Sequence, residues 1–368
     1  MGGAICDMVD NDLPVPVPPA PARPPTASAT GRDVPLCVDM DGTLVNTDCI
    51  WEAILQILLR RPLRMLAILG GGWRGTAWLK RALGREGLLP VESLPYNAEA
   101  IALIKEAKSA GRKVLLVTAS DQLMGDAVAA HVKLFDEVIG SDGETNVRGT
   151  TKAALLVKRF GRGGFDYAGD SAVDIPVWEA GRHVIAVNPE PAARRWVEQR
   201  GSGTIIGAGR RMGRALARAA RPGRWIKNAL VFVPALFAHV WRDGHAWWRL
   251  GAFFLALCFG ASAVYLVNGL ADIVSDRKDK DKCRGPLAAG DLLIADAVLA
   301  IALFLAAAFC SSSFAGWKAT ELLAGYVAAA LVCMHWRRKA RTLDVLFCAG
   351  FCVFRIVAGA VLAAVKLP

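Results

Sequence analysis

Beyond Trp225 the sequence is a series of apolar segments separated by short charged loops. The segments run at about 225–241, 248–267, 291–310, 317–334 and 343–364. Most approach the roughly 20 residues that a helix needs to cross a bilayer. The first is short and contains Pro234, which predicts a tilted or broken span. Trp225, Trp241, Trp247, Trp248 and Trp317 fall at segment edges, where an aromatic belt would sit. The pattern predicts an all-α transmembrane helix bundle of about five spans, occupying 228–368 and embedded in the lipid bilayer.

Charge sets the expected orientation. The formal charge is +11, and the basic residues crowd the apolar segments. The 207–227 stretch carries Arg210, Arg211, Arg214, Arg218, Arg221, Arg224 and Lys227, and a second basic loop lies at 336–341. That placement points to a membrane surface. No nucleic-acid-binding motif accompanies it, so no nucleic-acid partner is expected. The positive-inside rule puts the basic loops and the N-terminal domain on the cytoplasmic side of the cell (inner) membrane. The nine cysteines form no CxxC pair and no metal-spaced cluster with histidine, so they read as reduced core or lipid-facing residues.

Before the bundle the chain changes character. Residues 1–33 are rich in Pro and Ala and predict an extended or disordered start. No signal peptide is apparent there. Residues 34–206 then alternate short strands with helices. Pro35–Met40, Lys113–Thr118, Glu137–Gly140, Asp166–Gly169 and His183–Val187 read as strands. Ala98–Ala110, Asp121–Val132 with Ser120 as N-cap, Thr151–Phe160 and Ala172–Ala180 read as helices. Repeated βα units predict a parallel sheet covered on both faces, with active residues at the carboxyl ends of its strands. Residues 50–92 read as a helical insert, either lying on the membrane surface or forming an ordinary cap.

Polar residues gather at those strand ends: Asp39 and Asp41, Thr118 and Ser120, Lys152 at a helix start, and Asp170 with Asp174. The segments VDMDGTLVNTD, LLVTAS, NVRGTTK and AGDSAVDIP, in that order, resemble the four motifs of the haloacid dehalogenase (HAD) superfamily. The resemblance implies a Rossmannoid α/β phosphohydrolase fold. It implies that Asp39 is the nucleophile and Asp41 the general acid and base. It implies that Thr118 bonds the phosphate and Lys152 neutralises developing charge. Mg²⁺ would be held by Asp39, the carbonyl of Asp41, and Asp170, with Asp174 supporting the metal.

In the membrane half, Asn268–Gly290 mixes Asp272, Asp276, Asp279 and Asp281 with Arg277, Lys278, Lys280, Lys282 and Arg284. On a continuous helix Asp272 and Asp276 would share a face. The loop reads either as a Mg²⁺–diphosphate site or as a solvated, charge-balanced connection. RPGRWIKNALVFVPALFAH, SAVYLVNGLADIVSDRKDKDKCRGPLAAG and RRKARTLDVLFCAGFCVFRIVAGA resemble segments of the UbiA prenyltransferase superfamily, in its decaprenyl-phosphate phosphoribosyltransferase branch. The resemblance implies that Asp272 and Asp276 bind Mg²⁺ and a donor diphosphate. It implies substrate contacts from Lys227, Asn268, Lys282, Arg284, Arg338, Asp344 and Arg355, leaving Asp279 and Asp281 as solvated charge. Gly269 stands where the family has an acid. Arg355 also has a bland reading, pairing with a carbonyl or Asp344. The resemblance covers only part of a UbiA bundle, which implies a partial domain or a partner membrane subunit.

Together the resemblances imply a membrane enzyme that moves phosphoribose from phosphoribosyl diphosphate to polyprenyl phosphate and then removes the 5-phosphate. The product would feed arabinosylation of a glycan, as in the HAD–UbiA members of rhizobial nodulation gene sets. Two other readings stand beside this one. One is a HAD phosphatase on a degenerate membrane anchor, and the other is a non-catalytic membrane subunit.

Overall fold

The computed structural model describes residues 34–240, 242–337 and 343–364. The Pro/Ala-rich start, Trp241 and Arg338 lie outside the described residues, as does the side chain of Asp344. The chain forms two compact units. The first comprises Met1–Arg211 and Ile273–Ile294, and the second Met212–Asp272 and Ala295–Pro368.

In the first unit, β1 (Leu36–Val38) leads into three insert helices, α1 (Cys49–Arg60), α2 (Pro62–Gly70) and α3 (Thr76–Arg85). There follow α4 (Ala98–Ser109), β2 (Val114–Asp121), α5 (Gln122–Val132), β3 (Glu137–Ser141), α6 (Thr150–Phe160) and β4 (Asp166–Gly169). The unit continues with α7 (Ile175–Ala180), β5 (His183–Val187), α8 (Pro191–Arg200) and β6 (Thr204–Ile206). The strands pair in parallel in the order β3-β2-β1-β4-β5-β6. Strand alternation builds two cores. Leu36, Val38, Val114 and Leu116 pack on one face with Ile104 and Val128. Cys37, Leu115 and Val117 pack on the other with Tyr167 and Trp178. The expected α/β parallel sheet is thus present, with β6 as a further edge strand.

Local chemistry sets the helix starts. Asp48 caps α1 by accepting from the amides of Ile50 and Trp51 at 2.8 and 3.2 Å. Asn97 caps α4. The expected Ser120 cap of α5 is replaced by Asp121, whose carboxylate accepts from Leu123 N at 3.0 Å, because strand β2 runs to Asp121, past the expected end at Thr118. On the insert, α2 turns Met65 and Ile68 inward and leaves Leu63 and Leu66 exposed, with Trp73 exposed just beyond.

The second unit begins with α9 (Met212–Ala220). A 3-10 segment, Pro222–Phe232, and the one-turn helix α10 (Val233–Phe237) follow where a first span was expected. Pro234 favours the break between the two, since it cannot donate a backbone hydrogen bond to the preceding turn. Next comes α11 (Gly244–Ala271). After α12 (Ile273–Lys278), which belongs to the first unit, come α13 (Ile294–Ala315), α14 (Trp317–Arg337) and α15 (Leu343–Leu362). Among the described residues, four of these helices are long and apolar enough to cross a membrane: α11, α13, α14 and α15. The 3-10 segment is bound into this bundle. Trp225 Nε1 donates to Ser262 Oγ on α11 at 3.1 Å. Gly359 on α15 lets the segment approach closely, because a Cβ there would lie 2.0 Å from the Val231 carbonyl oxygen.

The segment Ile273–Ile294 is seated in the first unit by a buried ion pair. Arg277, 6% exposed, donates to Glu52, 0% exposed, at 2.5 and 3.2 Å, and to the Ala288 carbonyl at 3.1 Å. Glu52 also accepts from Thr47 Oγ1 at 2.8 Å. Gly290, at φ +80°, lies against Asn46, whose carbonyl oxygen would be 2.1 Å from an added Cβ. Cys37, Cys49, Cys258, Cys310, Cys333, Cys348 and Cys352 are free thiols, as expected. Cys283, in this segment, departs from the expectation and is disulfide-bonded.

Removing one partner of such a pair strands a buried charge, at a cost of about 3–5 kcal/mol. Arg277→Met is therefore expected to lower the thermal midpoint sharply. The double variant Glu52→Leu/Arg277→Met, which removes both charges, should recover much of the loss in the same melting experiment.

Candidate active site

The carboxyl ends of β1, β2 and β4 converge on a cavity of 290 Å³ lined by Asp39, Asp41, Ser120, Lys152, Asp170 and Asp174. Gly42 makes the turn after β1 at φ +82°. No other residue fits there, since a Cβ would sit 2.1 Å from Asp170 Oδ2. This turn brings Asp39 and Asp41 to the same cavity.

Lys152 is the hub. It is 2% exposed, and its ammonium donates to Asp39 Oδ1 at 2.9 Å and to Tyr167 Oη at 2.7 Å. Tyr167 Oη donates in turn to Asp174 Oδ1 at 3.0 Å. The other oxygen of Asp174 accepts from the amides of Asp170 and Ser171 and from Ser171 Oγ. Asp41 is held separately, with Cys49 N at 2.7 Å from one oxygen and Ser120 Oγ at 2.7 Å from the other.

Electrostatics follow from this burial. Desolvation pushes the Asp39 carboxyl up to about 7, against the pull of Lys152. Asp170 is raised well above the ordinary carboxyl range by burial and by Asp174 and Asp39. Burial works against the Lys152 ammonium, but Asp39 and Asp174 outweigh it and its pKa rises. Oxygens of Asp39, Asp170 and Asp174 lie within 4.8 Å of one another. Three buried, mutually repelling hard-oxygen donors beside one lysine fit a divalent cation of the Mg²⁺ class.

Residues 77–179 match the haloacid dehalogenase-like hydrolase family, and residues 229–368 the UbiA prenyltransferase family. The chain thus joins a segment similar to HAD-like hydrolases to one similar to UbiA prenyltransferases. Both are families of enzymes, and HAD and UbiA enzymes are generally Mg²⁺-dependent. Uncharacterized protein y4nM of Sinorhizobium fredii is 31% identical over 90% of this chain and 64% of its own length. Decaprenyl-phosphate phosphoribosyltransferase of Corynebacterium glutamicum is 31% identical over 41% of this chain and 47% of its own length. Nodulation protein NoeC of Azorhizobium caulinodans is 29% identical over 41% and 48%. The chain thus spans about two-thirds of the first relative and about half of the other two.

The HAD-like unit gathers the expected Asp39, Asp41, Lys152, Asp170 and Asp174. Thr118 is placed differently. It is fully buried, accepts from Ser120 N at 2.9 Å and does not line the cavity, where Ala119 and Ser120 stand instead. In the UbiA-like half, Asp272 and Asp276 do not share one helix. The helix α11 ends at Ala271, Asp272 is its C-cap, and Asp276 lies in α12. The first belongs to the second unit and the other to the first. Asn268 is half-buried near the end of α11, and its carbonyl accepts from Asp272 N at 3.0 Å. Lys282 lies 3.8 Å from Asp276 and 3.7 Å from Asp279. Asp279 caps its own turn, accepting from Asp281 N and Lys282 N. Lys227 and Arg284 are exposed. Arg355 is buried, and its guanidinium donates to Asn228 Oδ1, the Phe351 carbonyl and Tyr326 Oη at 2.8, 2.6 and 3.2 Å. Those donors serve the packing of α14, α15 and the 3-10 segment.

Sequence reasoning missed Tyr167, Lys80, Arg148, Arg210 and the Glu52–Arg277 pair. Tyr167 alone carried a signal, since it faces inward two residues before Gly169 in a strand that feeds the site.

The raised Asp39 pKa gives a signed prediction. Below pH 7 Asp39 holds a proton that a metal must displace, so Mg²⁺ affinity should fall as pH drops, by up to about tenfold per unit for one displaced proton. Above pH 7 Asp39 no longer contributes to the dependence, and any that remains reports Asp170, also raised by burial. Calorimetric Mg²⁺ titrations from pH 5.5 to 8, in buffers of different ionisation enthalpy, would read both the affinity and the released proton.

Proposed function

We propose that the chain is a membrane enzyme that builds a lipid-linked pentose. Its UbiA-like half transfers 5-phosphoribose from phosphoribosyl diphosphate to polyprenyl phosphate, and its HAD-like half removes the 5-phosphate. The observation that carries the reading is the assembled Lys152–Asp39–Asp170–Asp174 constellation, in a chain whose other half is similar to decaprenyl-phosphate phosphoribosyltransferases.

The proposed hydrolysis uses this chain's groups in two balanced steps. The Asp39 carboxylate attacks phosphorus, forming the acyl-phosphate bond as the P–O bond to the sugar breaks, and Asp41 gives the departing alkoxide its proton. A water molecule then attacks the aspartyl phosphate. Asp41 takes its proton, phosphate leaves and the Asp39 carboxylate returns. Lys152, tied to Asp39, offsets charge that builds on the phosphoryl oxygens. Mg²⁺, held by Asp39 and Asp170 with Asp174 behind them, would supply further charge neutralisation.

The fold supports a shared cytoplasmic side for the hydrolase and the aspartate-rich segment. Both Met1–Arg211 and Ile273–Ile294 belong to one compact unit, so the chain between them crosses the membrane an even number of times. One crossing is α11. The other falls to Pro222–Phe237. Its 11 residues of 3-10 helix rise by about 22 Å and its 5 of α-helix by about 8 Å, together close to a hydrocarbon core of about 30 Å. The exposed Leu63, Leu66 and Trp73 beside Arg60 and Arg64 support an insert face resting on that membrane surface. Similarity to the nodulation protein NoeC supports a role in nodulation, and on this reading the lipid-linked pentose would feed arabinosylation of a glycan.

Proteoliposomes given labelled phosphoribosyl diphosphate and polyprenyl phosphate test this. Wild type should yield a lipid-linked pentose without its 5-phosphate. Asp39→Asn should accumulate the same lipid with the 5-phosphate retained. No lipid product from wild type would sink the transferase reading, and an unchanged product from Asp39→Asn would remove the hydrolase from the sequence.

A further inference from the structure

The hydrolase cavity gathers several cations among its acids, and not all of them are tied to a carboxylate. Besides Lys152 it is lined by Lys80, Arg148 and Arg210. Lys80 is buried and committed, donating to the Ala119 carbonyl at 2.6 Å and to Asn146 Oδ1 at 2.8 Å. The two arginines differ. Arg148 is exposed at the cavity rim, four residues before Lys152, and forms no side-chain hydrogen bond or ion pair among the described residues. Arg210 reaches the cavity from the loop after β6, and its Nη2 is buried without any hydrogen-bond partner. A buried guanidinium nitrogen left unbonded costs free energy that a native site recovers only through a ligand or ordered water. Its charge is felt at Asp170, where it works to lower the carboxyl pKa, so it lies within electrostatic reach of the reacting centre.

Glu190 also lines the cavity, but neither arginine is ion-paired to it among the described residues. The scissile phosphate has its own partners in Lys152 and the Asp39–Asp170–Asp174 cluster. Arg210, with a buried nitrogen lacking a partner, and Arg148, unpaired among the described residues, are therefore placed to meet a second anionic group on the same substrate. Guanidinium forks suit phosphate oxygens in particular.

We propose that Arg210 and Arg148 form a second anion subsite in the hydrolase cavity, so that the preferred substrate is a sugar phosphate bearing another phosphate or phosphodiester. This inference rests on the phosphatase reading above and narrows it. A lipid-linked phosphoribose has such a group, the phosphodiester at C1, whereas a simple sugar monophosphate has none. Arg210 is the specificity residue deepest in the cavity, and Arg148 acts from the rim.

The test uses the full chain in nanodiscs and two soluble probes. Methyl riboside 5-phosphate carries only the scissile phosphate, and its analogue with a methylphosphoryl group at C1 carries a second anion. Phosphate release from wild type should favour the second probe by about tenfold or more in kcat/KM, the size expected for charge-assisted hydrogen bonds. Arg210→Gln and Arg148→Gln should each shrink that ratio, the double variant should bring it near one, and Arg210→Lys should retain part of it. Equal kcat/KM for both probes in wild type, or a ratio that survives the double variant, would overturn the subsite while leaving the phosphatase reading in place. No release from either probe would remove the phosphatase reading and the subsite with it.

Discussion

The ion pair between Glu52 and Arg277 joins parts of the chain 225 residues apart. Both groups are buried, and Thr47, Ala288 and the partner itself hydrogen-bond to them. A buried pair of this kind adds little net stability over an apolar contact, yet losing either half is costly. Its consequence is specificity of arrangement. It fixes a segment from between two membrane helices onto the loop that follows the first strand of the sheet. Asn46 and Thr47 belong to that loop, and Thr47 lines the hydrolase cavity. Leu293, at the far end of the segment, lines it too. Leu293 thus brings one residue from the membrane half of the sequence into the hydrolase cavity.

That arrangement constrains topology more tightly than hydropathy does. Four helices meet the length and apolarity of a span, which alone would separate residues before Met212 from those after Asp272. In the proposed topology, the extended rise of the 3-10 segment would supply the missing crossing. Sixteen residues would suffice for it, because a 3-10 helix climbs further per residue than an α-helix. Trp225, Asn228 and Gly359 then hold this unusual conformation against α11 and α15.

Much of the hydrolase was legible in the sequence, because each strand end carries its chemistry within a few residues of its own turn. Gly42 and the acids around it are a local pattern, and so are Lys152 and the Asp170–Asp174 pair. What escaped was long-range or depended on exact element ends. Thr118 looked like a phosphate ligand, but β2 continues past it and presents Ala119 and Ser120 instead. Asp272 and Asp276 looked like neighbours on one helix face, but α11 stops between them. Arg210 looked like one more cation in a membrane-facing run, and only the fold turns it into the cavity. Glu52 sat in an apolar helix with no sequence hint of a partner, since nothing local marks a contact made across 225 residues.

The claim that the aspartate-rich segment and the hydrolase form one body on one membrane face is open to a direct sidedness measurement. Single cysteines introduced as Lys105→Cys, on α4, and Lys280→Cys, in the segment, can be challenged with a membrane-impermeant thiol reagent in sealed vesicles of known orientation. Both positions should gain labelling over the parent protein in inside-out vesicles and stay protected in right-side-out ones. Labelling of the two positions from opposite faces would contradict the account.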